Sequence, residues 1–206
     1  MTTGPALVEV QLGDAPGAWT EAGFVVDGGR VQLGPLTVVC SADGTAPVLG
    51  FDGPVELDGV PSLVVGSDTP AARPEAGRHP NGIDGFDHVV VMAPHLDRVR
   101  QAVLAAGLEI RRERSARLGD SDITQLFVWA GPVLLEIVAP AGGDDPGGAS
   151  QVWGLAATAS DLDATAQWFG DRIGRPRAAV QAGRRIATIR HRDLGIGLQI
   201  AVMSAR

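Results

Sequence analysis

The most informative stretch of the sequence is Gly85-Phe86-Asp87-His88-Val89-Val90-Val91-Met92. It ends in four consecutive apolar residues, three of them β-branched, which predicts a buried strand. A helix is predicted to follow at residues 96–104, and Gly107 is placed for a left-handed cap at its C-terminus. Three more strands are predicted at 108–111, 123–129 and 133–138. The segment therefore has the order strand, helix and three strands.

The end of the chain repeats this order. A strand is predicted at 152–157, a helix at 162–173, and closing strands at 185–189 and 196–202. Aligning Asp97 with Asp163 places His88 opposite Gly154, and aligning the final strands places Glu136 opposite Gln199. The pattern predicts a tandem repeat of about 65 residues.

These observations predict an α+β fold of paired βαβββ modules with a shorter, β-rich N-terminal module. Two stretches rich in proline and glycine separate the parts and are predicted to be linkers. The predicted organisation is a degenerate module at 1–66, a linker at 67–82, a module at 83–140, a linker at 141–149 and a second module at 150–206.

Composition excludes several classes of partner. The 206-residue chain has a formal charge of −7, which argues against nucleic acid or an anionic membrane as its main partner. It has no apolar run of the roughly 18 residues that a membrane span needs, and no signal peptide is recognisable. A cytoplasmic location is expected by default. The sequence leaves a homodimer open.

The predicted hairpin at 123–138 gathers polar and aromatic side chains on one face. If Ala130-Gly131 is a two-residue turn, Gln125 pairs with Glu136 and Phe127 with Leu134. Gln125, Phe127, Trp129 and Glu136 then share a face, which suits a wall for a small organic ligand. The alternative is that the aromatic residues belong to the core and an arginine neutralises Glu136.

Three phrases resemble the vicinal-oxygen-chelate superfamily, which includes glyoxalase-like, bleomycin-resistance and extradiol dioxygenase proteins. They are Gly85-Phe86-Asp87-His88-Val89-Val90-Val91, Leu134-Leu135-Glu136-Ile137-Val138, and Trp153-Gly154-Leu155-Ala156 with Ser160-Asp161-Leu162-Asp163. The resemblance implies paired modules whose sheets surround a small-molecule cleft. It does not imply one reaction, because this fold hosts many.

The resemblance also implies site residues. His88 and Glu136 stand where metal-using members carry a histidine or glutamine and a glutamate, so one divalent ion (Zn, Ni, Mn or Fe) is implied, with Glu136 as ligand and catalytic group. Gln199 offers a poor third donor, and Gly154 departs from the pattern because it offers none.

Two functions remain open at this point. One is a metal-assisted lyase or isomerase acting on vicinal oxygens, and the other is a metal-free protein that binds or sequesters a small molecule. The basic run Arg111-Arg112-Glu113-Arg114 with Arg117 is interpreted as a solvated strand edge, with binding of an anionic substrate group as the alternative.

Overall fold

The computed structural model describes residues 4–66, 79–142 and 148–205. Most of the two predicted linkers, 67–82 and 141–149, therefore lies outside the described residues. The described residues fall into two compact units, each assembled from separate stretches of the chain.

The described chain contains thirteen strands and three α-helices. The N-terminal segment forms β1 (Leu7–Leu12), α1 (Pro16–Glu21), β2 (Arg30–Leu33), β3 (Leu36–Cys40), β4 (Val48–Phe51) and β5 (Ser62–Val64). The middle segment forms β6 (Gly85–Met92), α2 (Leu96–Ala105), β7 (Glu109–Leu118), β8 (Ser121–Ala130) and β9 (Val133–Pro140). The last segment forms β10 (Gln151–Ala159), α3 (Leu162–Phe169), β11 (Arg177–Ala178), β12 (Arg185–Thr188) and β13 (Gln199–Ser204). Among the described residues, no helix is both long enough and apolar enough to cross a membrane.

The first unit holds the described residues of 1–8, 48–69 and 88–153. Within it, β9 pairs in parallel with β6 and antiparallel with β8, and β8 pairs antiparallel with β7. The last strand of the segment thus lies beside its first. Gly107 has φ +72 at the end of α2, as the cap position predicts.

The second unit holds the described residues of 9–47, 70–87 and 154–206. Its last segment repeats the arrangement, because β13 pairs in parallel with β10 and antiparallel with β12, and β12 pairs antiparallel with β11. The α+β fold of βαβββ modules predicted from the sequence is confirmed.

The N-terminal segment carries the same strand relations in shortened form. In the second unit, β1 is parallel to β3 and β2 is antiparallel to β3, which are the relations of β6, β9 and β8. In the first unit, β4 is parallel to β5, as β10 is to β13. The described residues form no counterpart of the outer strand β7 between α1 and β2.

The sheet of the first unit has two chemically different faces. One face is fully buried: Val89, Val91, Leu126, Val128, Leu135 and Ile137 are each 0% exposed. The opposite face carries residues that are mostly half-buried, among them Val90, Phe127, Trp129, Leu134 and Glu136. Because side chains alternate along a strand, the two sets belong to the two faces. The core therefore lies on one side, and the other side carries the candidate site.

Candidate functional site

The register of the β8–β9 hairpin differs from the sequence prediction. The turn is Gly131-Pro132, so Ala130 pairs with Val133, and Glu136 pairs with Phe127. The predicted pairing of Gln125 with Glu136 is wrong by two residues, since Gln125 pairs with Val138. A shift of two preserves the alternation of side chains, so these residues keep the face that was predicted for them.

Four polar side chains form a connected row on this face, one from each of four neighbouring strands. We call Arg114, Gln125, Glu136 and His88 the polar row; they lie on β7, β8, β9 and β6. His88 Nε2 lies 3.1 Å from Glu136 Oε2, and Gln125 Nε2 donates to Glu136 Oε1. Arg114 Nε donates to Gln125 Oε1 at 2.8 Å, and its Nη2 donates to the same oxygen. Both oxygens of Glu136 are therefore contacted by protein groups.

Three of the four side chains in the polar row are largely shielded from water. His88 and Gln125 are each only 8% exposed, and the side chain of Glu136 is 15% exposed. A buried carboxylate is stable only when hydrogen bonds replace the water it has lost. The neighbours on the row supply these contacts, so the burial of Glu136 is physically consistent.

Phe127 and Trp129 lie on the same face as the row and are half-buried. Phe127 stands directly opposite Glu136, and Trp129 stands opposite Leu134. The observed register places both aromatic residues on the face of Glu136, as the sequence predicts. A half-buried aromatic surface beside fixed polar groups is typical of small-molecule sites.

Arg114 lies in the polar row, whereas the sequence analysis gives anion binding by its run only as the alternative. Its run was interpreted as a solvated strand edge, which describes Arg111 and Arg117, both exposed and each paired with an acidic residue. Arg114 instead is half-buried and lies 5.5 Å from the ring centroid of Phe127. The period-two spacing of Arg112 and Arg114 was the available signal for a shared face.

The second module supplies no equivalent donors. When the helices α2 and α3 are aligned, His88 corresponds to Gly154, and the observed registers make Ala201 the counterpart of Glu136. Aligning Glu136 with Gln199 was therefore wrong by two residues. Gln199 is half-buried on β13 and stands opposite Gly154, where an added Cβ would come within 2.9 Å of the Gln199 carbonyl oxygen. This close approach of the two strands explains the glycine.

The residues present do not fit a resident metal ion. His88 and Glu136 offer two donors, whereas metal centres in proteins usually draw three or more from the chain. Among the described residues, no group of three or more His, Cys, Asp or Glu side chains could hold a metal. Arg114, held beside Gln125, adds a positive charge that would oppose a cation.

Two other reactive side chains have structural roles. Burial, followed by the charge of Asp14, raises the pKa of the Cys40 thiol to about 11, so it is protonated and unreactive near neutral pH. Burial lowers the pKa of His79, although its hydrogen bond to the Gln32 carbonyl acts in the opposite direction. The Nδ1 atom of His79 accepts from the Val25 amide at 3.0 Å, which fixes the neutral ring in place.

Comparison with solved structures identifies the fold. The chain is similar to a variant of 4-hydroxymandelate synthase from Streptomyces coelicolor, with a TM-score of 0.61, 14% identity, and 98% and 94% of the two chains covered. It is also similar to homoprotocatechuate 2,3-dioxygenase from Brevibacterium fuscum, with a TM-score of 0.57, 11% identity, and 98% and 80% covered. The chain has the vicinal-oxygen-chelate fold.

Within this fold, similarity at the sequence level is low. No family model matches the chain, and no curated protein does either. Methylmalonyl-CoA epimerase from Mycobacterium tuberculosis matches over 61% of this chain and 90% of its own, with 20% identity and a TM-score of 0.47. At these identities the likeness concerns the fold, so function has to be argued from the side chains.

Proposed function

We propose that this vicinal-oxygen-chelate protein binds a small organic molecule on the face of the polar row, and that it does so without a resident metal ion. The observation that carries the proposal is the row of contacts through Glu136. Gln125 and His88 each contact one of its two carboxylate oxygens. The carboxylate is held as a fixed hydrogen-bonding group beside Phe127. Ligand recognition by a few oriented polar groups next to an aromatic surface requires no metal.

Fluorine NMR of protein labelled with 5-fluorotryptophan tests this proposal. The chain has four tryptophans, so four resonances are expected, and Trp129→Phe assigns the one at the site. With EDTA present, the planar fragments 2-naphthamide and 2-naphthoate are expected to shift the Trp129 resonance. The resonance of Trp19, which is 0% exposed, is expected to stay unchanged.

The exposed indoles provide the control for this experiment. Trp153 is 41% exposed and Trp168 is 38% exposed, so non-specific adsorption would move their resonances first. Shifts at Trp153 or Trp168 without one at Trp129 would contradict the proposal. A shift at Trp129 that appears only after metal is added would contradict the metal-free part of it.

A metal-assisted lyase or isomerase is the second candidate, and one distance favours it. Two donors bound at right angles to one ion at about 2.1 Å lie about 3 Å apart, and His88 Nε2 and Glu136 Oε2 are separated by 3.1 Å. The pair could therefore serve as a partial ligand set. Two protein donors recover only part of the hydration that an ion loses, so such binding would be weak.

Thermal unfolding in the presence of metal separates the two candidates. Micromolar Zn²⁺, Mn²⁺ or Ni²⁺ is expected to leave the Tm of the wild type and of His88→Ala equally unaffected. A ligand that binds the folded state raises stability once its concentration exceeds the Kd, so a resident site would raise the wild-type Tm alone. A His88-dependent rise at micromolar metal would overturn the metal-free proposal in favour of the lyase or isomerase.

A further inference from the structure

Arg114 is a half-buried cation whose partners are neutral. Its guanidinium donates to the carbonyl oxygen of Gln125 and lies over the ring of Phe127. Among the residues that the structure describes, no carboxylate forms an ion pair with it. Arg111 and Arg117 of the same strand are each paired, with Glu109 and Asp122. A guanidinium removed partly from water is stabilised best by an anion, and the described protein supplies none.

A bulge in β7 gives Arg114 its orientation. Ile110 pairs with Val128 of the buried face, but the next pair is Arg112 with Phe127, so Arg111 is the extra residue. Without the bulge, Arg112 and Arg114 would alternate onto the buried face together with Ile110. With it, both arginines stand on the face of the polar row. Bulges commonly re-aim side chains in this way near binding sites.

The strand pairing sets the distance between Arg112 and Glu136 on this face. Arg112, Phe127 and Glu136 are consecutive partners across β7, β8 and β9. Neighbouring strands lie about 4.8 Å apart, so the backbones of Arg112 and Glu136 are about 10 Å apart, with the ring of Phe127 between them. Both carboxylate oxygens of Glu136 already have protein partners, Gln125 and His88. An anionic group of a ligand that lies over β7 would therefore contact two guanidinium groups, those of Arg112 and Arg114.

We infer that the ligand of this site is a small planar anion, whose carboxylate or phosphate is bound by Arg114 and Arg112 while its planar part covers Phe127. This inference rests on the proposed function and adds the class of ligand. Arg112 is exposed and supplies a second cation beside Arg114. Arg114 supplies directional hydrogen bonds, because its orientation is fixed by Gln125.

The test compares fragments of matched shape and different charge. 2-Naphthoate and 2-naphthamide are titrated against the 5-fluorotryptophan protein in EDTA, with the Trp129 resonance as the readout. Naphthoate is expected to bind about 10- to 100-fold more tightly than naphthamide, which is the range for hydrogen bonds to a charged group. Higher salt is expected to reduce this preference. 2-Naphthyl phosphate, titrated in parallel, shows which of the two anionic groups is preferred.

Three arginine variants assign the preference to its residues. Arg112→Gln and Arg114→Gln are each expected to bring the affinity for naphthoate close to the affinity of the same variant for naphthamide. Arg117→Gln is the matched control, since Arg117 lies on the same strand but pairs with Asp122. It is expected to behave as the wild type. Far-UV circular dichroism and Tm establish that each variant is folded.

The outcomes distinguish this inference from the proposed function. Equal affinities of naphthoate and naphthamide at Trp129 would overturn the anion inference and leave the binding site in place. A preference that Arg117→Gln abolishes as fully as Arg114→Gln would also overturn it, because the effect would then be general surface charge. Failure of every fragment to move Trp129 would overturn the site itself, and this inference with it.

Discussion

Leu135→Ala is expected to lower the free energy of unfolding by about 3 kcal/mol, within the range measured when a buried leucine is truncated. Leu135 is 0% exposed and stands on the face of β9 that packs into the core of the first unit. The loss combines the transfer free energy of the missing methyl groups with the cavity they leave. Urea unfolding followed by circular dichroism measures it as a lower midpoint at unchanged slope.

Leu134→Ala is the matched control for this substitution. Leu134 is the same residue type on the same strand, but it is half-buried on the face of the polar row. Its truncation is expected to cost about 1 kcal/mol or less, because less apolar surface returns to water and no closed cavity forms. Equal losses in the two variants would contradict the division of the sheet into a core face and a site face.

Asp87→Ala is expected to lower the free energy of unfolding by about 3 to 5 kcal/mol, the cost of leaving the other member of a buried ion pair without its partner. Arg184 Nη1 lies 2.5 Å from Asp87 Oδ2, and the two side chains are 5% and 7% exposed. Arg184 also donates to the Ser204 carbonyl and to the Gln181 amide oxygen. These neutral acceptors cannot balance its charge once the carboxylate is gone.

The exposed pair of Arg185 and Asp163 is the control for this prediction. Its atoms are 2.7 Å apart, which is as close as many buried pairs, but both side chains are largely exposed. Asp163→Ala is expected to leave Tm close to that of the wild type, since water already screens the pair. Urea unfolding of both variants measures the difference. A loss of stability in Asp87→Ala no larger than in Asp163→Ala would show that burial of the first pair contributes nothing.

Much of the fold follows from local patterns in the sequence. Four consecutive apolar residues predict β6, and Gly107 predicts the end of α2, because both signals come from residues that are neighbours in the chain. The repeat was found because strand and helix follow in the same order twice. Such features require no knowledge of how distant strands pair.

Strand register could not be predicted to the residue. Alternation with period two fixes which face a side chain takes, but a shift of two residues preserves that face. The turn at Gly131-Pro132 therefore moved the partner of Glu136 from Gln125 to Phe127 without changing the face of either. The same ambiguity explains why the sequence alignment matched Glu136 with Gln199, whereas the observed register matches it with Ala201.

The face on which Arg114 lies could not be predicted for a related reason. Its face depends on the bulge at Arg111, and no residue in that run marks a bulge as glycine often does. Counted without the bulge, Arg114 belongs to the opposite face. The part of the site that depended on nearby residues in one hairpin was predictable, and the part that depended on an irregular register was not.

We expect the face of the polar row to bind a small organic ligand without a resident metal. A crystal structure of protein purified with EDTA and soaked with 2-naphthoate tests this expectation. We expect the naphthyl ring to cover Phe127 and the carboxylate to lie about 3 Å from the guanidinium of Arg114. Fragment density only beside Trp153 or Trp168, or a metal ion retained between His88 and Glu136 despite the chelator, would contradict the claim.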